Sequence, residues 1–422
     1  MAFGSRLLPL GLVLFVGGCA SKPIDTGGGG GSGGGSGTGG SGTGGSAGTQ
    51  ATDPEQAVAD DVLGVGEGAG TLLTIYDPAA ATPGRTLVPT ALAWNPTEQD
   101  ELWITLREPP SDQECVTGMK TGCPWLEGRV AIVQGAASAL SAAHQVETKK
   151  DANAWHFMRR PSSLAFGSDD TFASCGEART GNYEDESVPF NGPVLWSADP
   201  SIFGAVPPAD SPTGSTHIDM LHESPYCMGI AHERDNVYWT FNGDAGSLDR
   251  YDFHVPHEPG GDDHSDGEVW RYAAGLLARV PDVPSHLVYD GERSLLYAAD
   301  TGHGRVVALD PSTASEVDTI TTYDPIATHA LMGGATLTEL VPPGMLAAPT
   351  GITLYRGVLF VTDFDSSRIV AFDRSGRMLR IGYTNLPTGS IGGIGIGPDG
   401  RAYITERAGG RVLRLDPAGA PP

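Results

Sequence analysis

One pattern of three short strand-like segments recurs six times along this chain. The copies start at 89, 161, 227, 284, 349 and 391. A clear copy reads Pro349-Thr-Gly-Ile-Thr-Leu, then Leu359-Phe-Val-Thr-Asp, then Ser367-Arg-Ile-Val-Ala-Phe-Asp. Gly, Asp and Ser turn signals separate the segments. A fourth strand-like stretch follows most copies, at 216–222, 268–274, 317–323 and 378–383. Repeats of four strands solve the edge-strand problem by radial closure. The expected fold is therefore all-β, a six-bladed β-propeller. Two packed β-sandwiches are the weaker alternative, because the repeat is sixfold and its ends are complementary. The last copy lacks its fourth segment, while Thr71-Leu-Leu-Thr-Ile-Tyr-Asp-Pro stands spare before the first. That stretch echoes Thr319-Ile-Thr-Thr-Tyr-Asp-Pro, read as the outer strand of the fourth copy and its exit. Residues 71–78 are thus expected to close blade six, with Leu72, Thr74 and Tyr76 on one side and Leu73 and Ile75 on the other.

Composition agrees. The 422 residues include 60 Gly and 32 Pro and only 18% are charged, which disfavours a helical bundle. A net charge of −25 disfavours nucleic acid, which needs a basic patch.

The N-terminus reads as an address. Arg6 precedes an apolar run, Leu7 to Val16, too short to span a bilayer. It ends in Val16-Gly17-Gly18-Cys19, which resembles a bacterial lipobox. The resemblance implies a signal peptide over 1–18 and lipidation of Cys19. A Gly/Ser-rich flexible tether over 19–50 and a linker over 51–70 then lead to a propeller over 71–422. An ordinary secretory signal is the alternative. The expected location is the cell envelope, as an outer-membrane or cell-surface lipoprotein, with the membrane as a partner through the anchor.

Beyond Cys19 there are four cysteines, Cys115, Cys123, Cys175 and Cys227, an even number that suggests two disulfides in an exported chain. Cys115 and Cys123 close a short loop. Cys175 and Cys227 fall in neighbouring blades on one face, within reach of each other, with free buried thiols as the alternative.

The stretches Asp300-Thr-Gly-His-Gly-Arg-Val and Asp363-Phe-Asp-Ser-Ser-Arg-Ile resemble the NHL repeat. The resemblance covers about 71–419 and implies an NHL-type propeller, a fold that serves binding scaffolds, sensors and a few enzymes, so the site must decide function.

Aligning the copies places Leu106, Cys175, Asn242, Asp300, Asp363 and Glu406 at the end of strand two. Asn242, Asp300, Asp363 and Glu406 form a candidate polar ring on the channel face, or else they tie their own turns. Arg129, Arg305, Arg368 and Arg411 recur on strand three, as expected for contacts between blades. His156 and His286 should both reach the axis on that face. They are similar to part of the zinc site of the peptidyl-hydroxyglycine amidating lyase, an NHL-type propeller. The third histidine of that family has no counterpart, since Gly389-Ser-Ile-Gly-Gly-Ile stands where it belongs. His222 or His329 is a topological substitute, because zinc needs at least three protein donors. A second candidate metal loop carries His254, His257, Asp263 and His264, in a composition that suits Zn or Ca but with no standard spacing. A solvated polar loop is its alternative.

The expected function is a cell-envelope lipoprotein whose propeller binds a ligand or protein partner on one face. The alternative is a metal-dependent propeller enzyme of lyase or lactonase type, with a histidine site at the channel mouth.

Overall fold

Thr71–Tyr76 hydrogen-bonds to Arg411–Asp416, so the first strand among the described residues completes a sheet built by the last three of them. The computed structural model describes residues 53–66, 68–81, 87–107, 127–139, 143–181 and 188–419. All lie in the unit 52–422. A helix, α1 (Pro54–Leu63), precedes β1 (Thr71–Tyr76) and the short α2 (Pro78–Ala81). Blade one is β2 (Val88–Trp94), β3 (Glu101–Arg107), β4 (Gly128–Gln134) and β5 (Gln145–Lys149). The helical turn α3 (Ala154–Phe157) leads to blade two: β6 (Pro161–Phe166), β7 (Thr171–Gly176), β8 (Val194–Ser197) and β9 (His217–Met220). Blade three is β10 (Cys227–Arg234), β11 (Val237–Asn242), β12 (Ser247–Asp252) and β13 (Glu268–Tyr272). Blade four opens with β14 (Leu287–Asp290), β15 (Leu295–Asp300) and β16 (Arg305–Asp310), followed by β17 (Ser315–Thr319), β18 (Thr328–Gly333) and β19 (Thr336–Val341). Blade five is β20 (Pro349–Tyr355), β21 (Val358–Asp363), β22 (Arg368–Asp373) and β23 (Met378–Tyr383). Blade six is β24 (Ile391–Ile396), β25 (Ala402–Glu406) and β26 (Arg411–Asp416), closed by β1. The fold is a six-bladed β-propeller.

The second and third strands of each blade are sandwiched between neighbours, and they read as continuous apolar runs for that reason. Every residue of β3 is buried. The apolar side chains fall into six clusters, one for each seam between adjacent blades. Trp103, Trp196 and Trp239 are fully buried in two of them. Burying one such ring contributes about 3 kcal/mol. The repeated Thr of strand two has a local task. Thr105, Thr362 and Thr405 accept hydrogen bonds from the N–H of Ala91, Gly351 and Gly393 at 3.1, 2.8 and 2.7 Å. Each of these N–H groups lies where the inner strand shifts register, so the hydroxyl satisfies a donor that the ladder loses.

Three expectations need correction. The outer strand of blade four is β19, not the stretch around 317–323. β17 and β18 instead form a hairpin that joins blade three, with β18 running parallel to β13. Strict alternation in β1 also fails, because a bulge between Thr74 and Tyr76 turns both Ile75 and Tyr76 inward. The stretch read as a linker contains α1. Asp53 caps it by accepting from Glu55 N–H at 3.1 Å, and Ala59, Val62 and Leu63 pack into the seam between blades five and six. The segments 1–18 and 19–50, Cys19, Cys115 and Cys123 lie outside the described residues.

Candidate functional site

The four ring residues are buried and bonded to their own turns or to the loops entering the blades. Asn242 accepts from the N–H groups of Asp244 and Ala245, both at 3.0 Å. Asp300 holds Arg305 at 2.8 Å, and Glu406 holds Arg411 at 3.1 Å. Asp363 accepts from Ala347 N–H and Ala348 N–H at 3.1 and 2.8 Å. Arg305, Arg368 and Arg411 thus pair with a carboxylate of their own blades, although Arg305 also reaches Leu276 O at 2.8 Å.

The groups free to meet over the axis stand one or two positions further along: Arg107, Glu177, Phe364 and Arg407. They gather around the segment Val280–Val283, which belongs to the connection between blades three and four. Its turn is closed by Val283 N–H donating to Val280 O at 3.1 Å. Asp282 sits in that turn with φ 67°, a left-handed conformation in which glycine is the natural occupant. Arg160 donates to its Oδ1 at 2.7 Å, and Arg107 donates to Oδ1 and to the carbonyl, both at 3.2 Å. Arg407 donates to the same carbonyl. Arg160 is itself left-handed, at φ 47°. Glu177 completes the arrangement by binding Arg107 at 3.0 Å, Arg279 at 3.3 Å and Asp282 N–H at 2.8 Å. Burial, with Arg107 beside it, pushes the Arg407 guanidinium down to about 9, so it stays charged at neutral pH. Val88, Val283, Phe364, Arg407 and Ala408 line a cavity of about 460 Å³ next to this turn.

Beneath the turn, the inner strands enclose a channel cavity of about 430 Å³. His286 crosses it. Its Nε2–H donates to Ser162 O of blade two at 3.1 Å. A Cβ on Gly393 of blade six would come within 3.0 Å of its Cε1. The imidazole is buried, and desolvation pushes it down to about 4, so it is neutral.

His286 therefore stands apart from the other two histidines of the first candidate set. His156 and His222 do meet, with their Nε2 atoms 3.4 Å apart. His222 is stacked on Phe190 at 3.6 Å and bonded through Nδ1 to Asp324 at 2.9 Å, and His156 Nδ1 faces Gly181 O at 3.1 Å. Burial, then the neighbouring His222, lowers His156 to about 4. Beside them, burial and then the Asp324 carboxylate raise Glu223 to about 8. His329 lies on β18 at the outside of blade three.

The second candidate loop divides. His254 turns to Glu268, with Nε2 at 2.9 Å from its carboxylate, in a half-buried trio with Asp252 in which only His254 is exposed. Asp263 is exposed and caps Ser265 N–H at 3.1 Å. His257 and His264 turn the other way and meet His217. His217, in a short strand remote in sequence, carried no motif. Cys175 and Cys227 form a disulfide with Cα atoms 5.4 Å apart. No helix among the described residues is long and apolar enough to cross a membrane.

No protein-family model matches this chain. None of the curated proteins matches it either. Several solved structures are similar at low identity. A Bacteroides thetaiotaomicron protein of unknown function matches at 12% identity over 82% of this chain and 75% of its own, with a TM-score of 0.48. An auxiliary nutrient binding protein from Bacteroides ovatus matches at 10% identity over 82% and 76%, with a TM-score of 0.47. The calcium-binding protein regucalcin from Agrobacterium tumefaciens matches at 12% identity over 82% and 93%, with a TM-score of 0.45.

Proposed function

We propose that this propeller binds an anionic ligand at its channel mouth. One observation carries the reading: Arg107, Arg160 and Arg407, from the faces of three chain segments, converge on a single aspartate held in a strained backbone conformation. Guanidinium groups are suited to carboxylate recognition by their fixed fork of donors. Strain that persists in a well-packed fold clusters at functional sites. The Asp282 carboxylate acts as a stand-in for the ligand's own. Its side chain is 65% exposed, so an incoming anion can reach the same donors. The adjoining cavity is lined mainly by Val88, Val283, Phe364 and Ala408, and it suits an apolar body attached to the anionic group. A ligand class of carboxylates with a small hydrocarbon or aromatic part follows.

A lyase- or lactonase-type metal enzyme at the mouth has less support, because His286 is committed to Ser162 O. The same reading keeps the signal peptide at 1–18, the lipid on Cys19 and the tether at 19–50, which hold the propeller at a membrane surface of the cell envelope. The Cys19→Ala variant is expected in the soluble fraction, and its unchanged membrane attachment counts against the anchor.

The experiment for the site is a calorimetric titration of acetate, hexanoate and phenylacetate into the wild-type protein and Asp282→Gly. Glycine relieves the left-handed strain and removes the stand-in carboxylate. The larger carboxylates should bind Asp282→Gly at least about tenfold more tightly than the wild type. Arg160→Gln, added to that variant, should abolish the gain. Absence of binding to Asp282→Gly refutes the reading.

A further inference from the structure

His217 and Asp219 lie on β9 on either side of a bulge in its pairing with β8, and both meet His264. The loop from β12 to β13 of the next blade is fastened along it by backbone bonds. His257 N–H donates to Ile218 O at 3.0 Å, and Gly260 N–H donates to His217 O at 2.7 Å. These bonds bring His257 and His264 onto His217. The three ring centroids are 5.0, 5.9 and 5.2 Å apart, and one nitrogen from each ring lies within 4.8 Å of the other two.

The hydrogen bonds decide which nitrogens are available. His257 Nδ1 faces the Glu258 carbonyl at 2.7 Å, so it carries the proton, and Nε2 keeps its lone pair. That Nε2 is buried without a partner. His264 Nδ1 faces Asp219 Oδ1 at 2.9 Å, so its proton also sits there and its Nε2 keeps a lone pair. His217 is fully buried, stacked on Phe157 at 4.0 Å, and neither of its ring nitrogens has a partner. A buried, unpartnered imidazole is costly, and two in contact with a third are not explained by packing. Each of the three has an unprotonated nitrogen to offer within this cluster. One of them is oriented from behind by a carboxylate, as metal-ligating histidines commonly are.

We propose that His217, His257 and His264 bind a divalent transition-metal ion, zinc by preference, between blades two and three. Three imidazoles select zinc and its neighbours over calcium or magnesium, which take oxygen ligands. Tetrahedral zinc with bonds of about 2.0–2.1 Å holds its nitrogens roughly 3.3 Å apart, so each ring needs to shift by less than about 1 Å. Three protein ligands leave a fourth position for water or an external donor. Asp219 is a positioning residue that sets the tautomer of His264. The ion ties the outer strand of blade two to the loop of blade three. This site is separate from the channel mouth, and it stands whether or not an anion binds there.

The test uses the whole chain, stripped with a chelator and titrated with zinc against a chromophoric competitor, with the bound metal counted by elemental analysis. One ion per chain is expected. Cobalt in its place should give the intense visible absorption of a four-coordinate site. His217→Ala, His257→Ala and His264→Ala should each weaken binding by at least about 100-fold, and Asp219→Asn by about 10–100-fold. Zinc should raise the Tm of the wild type but not of the triple alanine variant. Circular dichroism and Tm in chelator identify any variant that has simply lost its fold. In that case His264→Gln, which keeps a polar side chain of similar reach, takes its place and should show the same weakening. Arg407→Gln should bind zinc as the wild type does. No stoichiometric zinc in the wild type overturns the proposal, and so does unchanged affinity in a folded triple variant.

Discussion

His286 of blade four and Ser162 of blade two are joined across the central channel, Nε2–H to carbonyl oxygen, at 3.1 Å. The bond uses the neutral imidazole as a strut between strands that share no sheet. The same desolvation that keeps it neutral makes it sensitive to acid.

In the unfolded chain a histidine titrates near 6.5, while burial holds His286 at about 4. The unfolded state therefore binds the proton first as pH falls. The stabilisation is complete above about 6.5, declines below it and is gone by about 4. It amounts to roughly 3 kcal/mol for a shift of this size. Urea unfolding at pH 7 and pH 4.5 should show that His286→Asn, which cannot titrate there, loses less stability between the two than the wild type. His156 acts in the same window and Asp373, held at about 2, acts below it, so only the difference between proteins isolates His286. An equal loss in both proteins contradicts the strut.

The N-terminal segment stabilises in steps. Removing 1–52 should leave Tm unchanged. Removing 1–70 takes away α1 with buried Ala59, Val62 and Leu63, and should lower stability by about 3–6 kcal/mol. Removing 1–80 also strips β1 from β26, leaving an unpaired edge beside Leu413 and Leu415, and should cause aggregation. Size-exclusion chromatography and thermal melts of the three proteins give the ranking.

Cys175 and Cys227 join blades two and three across a sequence separation of 52. Closing a loop of that length stabilises by about 4 kcal/mol at most. The Cys175→Ser/Cys227→Ser protein should unfold at lower urea, and dithiothreitol should shift the wild type toward it but leave the variant unmoved.

Glu177 is buried against Arg107 and Arg279. Glu177→Gln leaves Arg107 with only the exposed carboxylate of Asp282 as an anionic partner. A cost of about 3 kcal/mol in chemical denaturation is expected. A change below about 0.5 kcal/mol would mean that solvent, not Glu177, neutralises the cluster.

The blades were legible because their central strands must be apolar on both faces and their turns need Asp, Gly and Ser at fixed offsets. Closure by residues 71–76 was legible from the missing and spare segments at the two ends. The supporting echo in 319–325 was misleading, since three strands follow Asp310 before blade five and only packing decides which completes the blade. The ring of Asn242, Asp300, Asp363 and Glu406 lay one or two positions short of the groups that face the axis. Its members are the turn-tying residues, and the repeat advertises those most strongly. His217 was invisible because its partners are 40 and 47 residues away in sequence. No spacing rule links a strand of one blade to a loop of the next.

The pairing of Thr71 with Asp416 also orders events in time. Among the described strands β1 is made first, yet its sheet neighbour β26 is made last. For the whole interval in which the other five blades are completed, β1 has no ladder to join. Final closure therefore waits until residues 411–416 have been made, and a chain halted before residue 411 should carry an open ring, however well its earlier blades are packed.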